Sequence, residues 1–252
     1  MLFAAMAMIM LSIPIFGVAP VSGLSLGLVP VLPQSQRKAV ILSSLEELSP
    51  MGAYRKIITA DLEHAGYQVT FVNGSEVTID FLLTQLNNYS VIIWRTNTFM
   101  FSPDGPAYWY VGEMINAVTQ QKYASDFAQG WIIGNAGILG VDVDFFTNHY
   151  SPGSLSHVKV ILLISSNSAP IGQALINANA RSVVICNGAI SLQFGTIDDL
   201  TGQLVSNLAN GNDVYNSVYN TIDPYGNQPR DPLDTVYTPP FWFLGDGTVT
   251  IT

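Results

Sequence analysis

The stretch Val160-Ile-Leu-Leu-Ile-Ser-Ser-Asn-Ser168 decides the fold, together with its counterpart Val91-Ile-Ile-Trp-Arg-Thr-Asn-Thr98. Each is a run of large apolar residues that breaks into small polar ones, as a strand running into a loop does. Neither run alternates apolar with polar, so both faces of each strand should be covered. Residues 38–43, 68–72 and 182–186 repeat the pattern. Between them lie apolar residues at helical spacing: Tyr54, Ile57, Ile58, Leu62 and Ala65, then Ile79, Leu82, Leu83 and Leu86 behind Thr78 as N-cap. Gly66 ends the first of these helices. After residue 168, Pro170 opens a helix with Ile171, Ala174, Leu175 and Ala178. Leu200, Leu204 and Leu208 mark another, with Thr196 as its cap and Asp198 and Asp199 in its first turn. Asp213 caps a last one bearing Val214, Val218 and Ile222. Strands alternating with helices predict a three-layer α/β sandwich with a mainly parallel central sheet. Ligands of such sheets bind beyond the carboxyl ends of the strands, where Thr96, Asn97 and Thr98 should meet Ser165, Ser166 and Asn167.

Two regions depart from the pattern. Residues 97–158 are too long for an ordinary connection and are rich in aromatic residues, so they hold extra elements or a functional loop. The proline-rich tail 224–240 reads as an extended wrap before a terminal strand, with Gly245-Asp246-Gly247 as a turn ahead of that strand. The aromatic run Tyr108-Trp-Tyr110 suits either a groove or the covering of a sheet edge.

Composition narrows the function. Charged residues are 11% of the 252, against roughly 25% in an average soluble domain. The net charge of −9 excludes nucleic acid as a partner, because no basic patch is available to neutralise phosphates. The single Cys186 allows neither an intramolecular disulfide nor a cysteine-based metal cluster. Its setting, Val184-Ile-Cys-Asn-Gly188, resembles the nucleophile elbow of amidotransferases, but no histidine follows His157, so a small buried thiol is the plainer reading.

No charged side chain precedes Arg37, and residues 2–16 are apolar apart from Ser12. Residues 1–32 read as a signal peptide, with an uncleaved membrane anchor as the rival. Residues 33–252 then form the domain, which is expected to be secreted or held at the cell surface. The sequons at Asn73 and Asn88 are the kind that an asparagine-rich chain contains by chance. Asp142 and Asp144 are calcium candidates whose spacing matches no calcium loop, and an exposed acidic strand explains them as well. His64 suits the C-terminal end of its helix.

From about Lys38 onward the chain resembles the gingipain-type branch of the caspase-like cysteine peptidases. Tyr89-Ser-Val-Ile-Ile-Trp-Arg-Thr-Asn97 is similar to the family's third strand and histidine loop, and Gly112-Glu113 to the Gly-Glu after it. Ser165-Ser-Asn-Ser-Ala-Pro-Ile-Gly-Gln-Ala174 resembles the nucleophile loop and its helix. Residues 178–189, Asp223-Pro-Tyr225 and Leu244-Gly-Asp-Gly247 resemble later segments. Asn97 then stands in the place of the histidine and Ser166 in that of the cysteine. The resemblance implies a caspase-like fold and a cleft formed by Thr96, Asn97, Thr98, Glu113, Ser165, Ser166, Asn167 and Asn187. It implies no cofactor beyond structural calcium.

A serine hydroxyl needs a base to attack a carbonyl, and an asparagine cannot be one. The expected function is therefore that of an exported, inactive pseudopeptidase with a binding or scaffold role in the cell envelope. Its partner would be a peptide, a protein or a surface glycan, and it would meet the membrane only through its N-terminal segment. The alternative is a weak hydrolase in which Ser166 uses a histidine from residues 97–158, His149 or His157.

Overall fold

The computed structural model describes residues 37–44, 46, 52–102, 104–186, 194–222 and 241–252. The expectations for residues 1–32, for Asn187 and for the tail 224–240 lie outside them, as does the segment 223–225. Strand β1 (Arg37–Ser43) is followed by helix α1 (Gly52–His64), β2 (Tyr67–Asn73), α2 (Ile79–Gln85) and β3 (Val91–Arg95). An inserted region carries β4 (Thr98–Met100), β5 (Ala107–Met114), α3 (Ala117–Lys122), α4 (Ala124–Gln129), β6 (Ile132–Asn135), β7 (Ile138–Val141) and α5 (Val143–His149). The main pattern resumes with β8 (Val160–Ile164), α6 (Ala169–Asn177), β9 (Ser182–Cys186), α7 (Phe194–Ala209), α8 (Val214–Tyr219) and β10 (Phe241–Gly245).

The principal sheet has the order β10-β9-β8-β3-β1-β2, parallel throughout except for β10, which runs antiparallel to β9. Its strands send alternate residues into two separate cores. Val40, Leu42, Ile92, Trp94, Ile161 and Leu163 pack with α2, α5 and α6. Ala39, Ile41, Ile93, Leu162, Val184 and Cys186 pack with α1, α7 and α8. This is the three-layer α/β sandwich with a mainly parallel central sheet that the sequence predicts. Helix covers both faces, which is why the strands show no polar alternation.

The local signals that set the helix ends are in place. Thr78 Oγ1 accepts from the Phe81 amide and Asp213 Oδ1 from that of Asn216, at 3.0 and 2.7 Å. Gly66 takes φ +85 behind α1, and Pro170 stands in the first turn of α6. His64 lies in the last turn of α1.

Three expectations need correction, and the extra elements expected in the long insert are present. Helix α7 begins at Phe194, ahead of Thr196, so Asp198 is not in a capped first turn. Asp142 and Asp144 do not lie on an exposed strand. Asp142 is the buried N-cap of α5, its Oδ1 accepting from the Phe145 amide at 3.0 Å, and Asp144 opens that helix. The terminal strand β10 precedes the turn at Gly245-Asp246-Gly247 instead of following it. The long insert is a second, antiparallel sheet of order β4-β5-β7-β6. Its inner side chains Trp109, Val111, Ile132, Leu139 and Val141 join the α2 core, while Phe99 stacks on Tyr108 and lies tilted against Tyr110.

Candidate functional site

Strands β3 and β8 are neighbours, so the loops that leave their carboxyl ends start side by side. The Thr96 amide extends the ladder by one bond, donating to Ile164 O at 3.1 Å. Thr96 itself is buried, and its hydroxyl donates to Tyr110 O at 2.6 Å, tying the first loop to β5. The Tyr110 amide answers with a 3.0 Å bond to Asn97 O.

Beyond these anchors the two loops meet through hydroxyls. Thr98 Oγ1 lies 2.6 Å from Ser166 O, 2.7 Å from Ser165 Oγ and 3.3 Å from Ser166 Oγ. A carbonyl can only accept, so the one Thr98 proton goes to Ser166 O. Both serine hydroxyls then donate to the Thr98 oxygen, and every proton in the trio is committed. The turn is closed by Ser168 Oγ donating to Ser165 O at 3.0 Å, with Asn167 in the left-handed region at φ +52. Asn167 faces Met100 of β4, its Nδ2 lying 3.8 Å from the Sδ atom.

Asn97 turns back on its own loop, its Oδ1 accepting from the Thr98 amide at 2.8 Å. It shares no hydrogen bond with Ser166. Among the described residues no imidazole reaches Ser166 either. His149 Nε2 stands 3.1 Å from Asp126 Oδ2, and its ring lies against Phe145 and Trp131. His157 precedes β8, so the whole strand, about 16 Å at the usual rise, separates it from the Ser166 loop.

The sequence therefore places Thr96, Asn97, Thr98, Ser165, Ser166 and Asn167 together, and the structure agrees. Glu113 does not join them. It lies four residues along β5 from Trp109, the partner of Thr98, or about 13 Å away. There its Oε2 accepts from the Ile79 amide at 3.0 Å and from Tyr123 Oη at 3.1 Å, holding the start of α2.

Sequence reasoning missed what supports the floor of the site. Arg95, the last residue of β3, is 1% exposed and meets Asp198 of α7 in a two-pronged ion pair, Nε to Oδ1 at 2.8 Å and Nη2 to Oδ2 at 3.0 Å. One signal was available: an arginine closing a wholly apolar strand needs a carboxylate partner if it points inward.

Cys186 ends β9 in the same core, with its Sγ 3.8 Å from Leu163 O. Burial pushes its thiol up to about 12, against a pull downward from the Ser165 backbone amide. A thiol held that high is no nucleophile at neutral pH. A maleimide at pH 8 should therefore label the native chain slower than the urea-unfolded chain by about a hundredfold or more; equal rates would place the sulfur in solvent. Because the folded value is raised, the stability this burial confers is complete below the ordinary thiol range and is lost as the pH rises toward 12.

Asp142, the calcium candidate, is already used as a helix cap, and burial raises its pKa, which disfavours the charged form a cation would need. Among the described residues no group of three or more His, Cys, Asp or Glu side chains converges. No helix among them is long and apolar enough to cross a membrane.

No family model matches the chain, and no curated protein does. Among solved structures, the crystal structure of the Drosophila initiator caspase Dronc is similar over 85% of this chain and 82% of that one, at 10% identity and a TM-score of 0.46. That likeness assigns no role to any residue here.

Proposed function

We propose that this chain is a catalytically silent relative of the gingipain-type caspase-like peptidases, exported or held at the cell envelope. It binds a peptide, a protein or a surface glycan at the carboxyl ends of β3 and β8. The observation that carries the reading is the closed trio of Thr98, Ser165 and Ser166, in which each hydroxyl proton is committed and the neighbouring polar side chain is the amide of Asn97. Acyl transfer from a serine requires a base to take its proton, and a threonine hydroxyl that already donates to a carbonyl is not one.

What the trio offers instead is a rigid polar edge. The exposed Asn167, Met100 and Phe101 beside it give a ligand amide, thioether and aromatic surface to contact. The alternative, a hydrolase that recruits His149 or His157, has no support among the described residues, because Asp126 holds the first and β8 separates the second from Ser166.

The test is hydrolysis of a diverse peptide library by the chain and by Ser166→Ala, with and without Ca²⁺. Neither protein is expected to cleave. Cleavage by the wild type that Ser166→Ala abolishes would overturn the reading. The double substitution Asn97→His with Ser166→Cys restores the missing residue types, and weak cleavage by it alone would mark the cleft as a peptidase cleft without its dyad.

A further inference from the structure

We propose that the amino ends of the parallel strands form a basic face that docks on an anionic lipid surface. The inference is independent of the cleft, which lies at the other end of the same strands. In a chain of net charge −9 with nine Lys and Arg, four of the nine stand at this one edge: Arg37, Lys38, Lys159 and Arg181. The backbone sets them in a row across neighbouring strands. Lys38 O accepts from the Ser90 amide at 2.9 Å, Ser90 O from the Lys159 amide at 2.8 Å, and Lys159 O from the amide of Ser182, next to Arg181, at 3.1 Å. At the usual strand spacing Lys38 and Lys159 are about 10 Å apart, and Arg181 is about 5 Å further along.

Among the described residues, carboxylates do little to cancel the row. Arg37 Nη1 donates to Ile251 O at 3.1 Å and Lys159 Nζ to Thr250 O at 3.5 Å, both backbone carbonyls. Arg181 pairs with Asp246 at 3.0 Å, and that is the ion pair within the set. Lys38 and His157, at the same edge, are exposed. Asp61, Glu63 and His64 lie toward the end of α1 that leads into β2, beyond β1 from Lys159. Partial burial lowers the pKa of Lys159, and the Arg37 and Arg181 charges push it the same way, as they would at close range.

The chain itself indicates the occupant. Residues 2–32 contain no Asp, Glu, Lys or Arg, and only residues 33–36 separate them from Arg37, the first residue of the row. A stretch of that length and character partitions into a bilayer, either as a span or before its removal. While it is attached, only residues 33–36 lie between it and the row, so Arg37 stays within about 18 Å of its end. An acidic domain would otherwise be repelled by anionic headgroups, and a row of basic side chains at the point of attachment reverses the local sign.

The experiment is flotation of the full chain with vesicles of phosphatidylcholine alone and of phosphatidylcholine with about one-third phosphatidylglycerol. Apolar insertion contributes equally to both, so the difference reports the basic face. Binding to the anionic vesicles should be about tenfold tighter at low salt, with most of the difference lost as the salt is raised. The pair Lys38→Gln with Lys159→Gln should abolish the preference, since each basic residue near the surface is worth about fivefold. Lys56→Gln, exposed on α1, should leave it intact, and so should Lys38→Arg with Lys159→Arg, which keeps the charge should the glutamines disturb the fold. Equal binding to the two vesicle types would overturn the proposal, as would a preference that Lys56→Gln removes and the Lys38 and Lys159 changes do not.

Discussion

Asp198→Ala should destabilise the folded chain by about 1.5–3 kcal/mol, because it removes the carboxylate that accepts two hydrogen bonds from a guanidinium that is 1% exposed. Arginine does not shed its proton in a protein, so Arg95 stays charged in the core whatever happens to its partner. Replacing both residues has the opposite logic. Burial is the largest influence on the Asp198 carboxyl and, with the Asp199 and Glu46 charges, holds it above its usual range although the Arg95 guanidinium pulls it down. Arg95→Met with Asp198→Leu should therefore recover most of the loss, since apolar residues of similar volume often replace a buried pair at no net cost. The pH dependence has a definite sign. A carboxyl whose folded pKa is raised contributes stability below the ordinary carboxylate range and loses it as the pH rises through the folded value. The pair accordingly gives no stabilisation on going from acid to neutral pH. Urea unfolding of the three proteins at one pH checks the first two statements. A cost below about 1 kcal/mol for Asp198→Ala would mean that water reaches Arg95.

The same pair shows where sequence reading stopped. Strand and helix positions were legible because β1, β3, β8 and β9 are buried on both faces and their helices carry regular apolar stripes. The meeting of Thr98 with Ser165 and Ser166 was legible too, because it follows from the adjacency of two parallel strands. Asp198 was misread because an earlier start to α7 moves it out of the first turn, where it would have served the helix end. Counted from Thr196 it is a first-turn acid, whereas within Phe194–Ala209 it lies one turn before Thr201 on the face toward Arg95. The second sheet was hidden for a different reason. Strands β4, β6 and β7 are three or four residues long, too short for any period to show. Glu113 was placed in the cleft by its similarity to a family motif, and the geometry gives it to the start of α2.

Gly112→Ala should cost at least about 3 kcal/mol, because the Cβ it adds would fall 1.5 Å from Gly74 O and 2.3 Å from Gly74 C. Both atoms are backbone, so no side chain can swing away. The approach is that close because β5 crosses the turn after β2 directly, with the Gly112 amide donating to Val77 O at 2.7 Å. A second glycine gives the contrast. Gly202 lies inside α7, where an added Cβ would meet only Tyr54 Cδ2 at 4.0 Å, and Gly202→Ala should stabilise by up to about 1 kcal/mol through its helix preference. Thermal unfolding then separates the two. The first substitution should lower Tm by roughly 10 °C and the second should raise it by a few degrees, and equal shifts would contradict the contact. The consequence reaches the cleft, because β5 also carries Tyr110, whose backbone holds the Thr96 hydroxyl and Asn97 O. A chain that survives Gly112→Ala by shifting β5 would have to break those two bonds or drag the first loop away from Ser165 and Ser166. The glycine beside Glu113 thus supports the site through strand placement, though neither residue lines it.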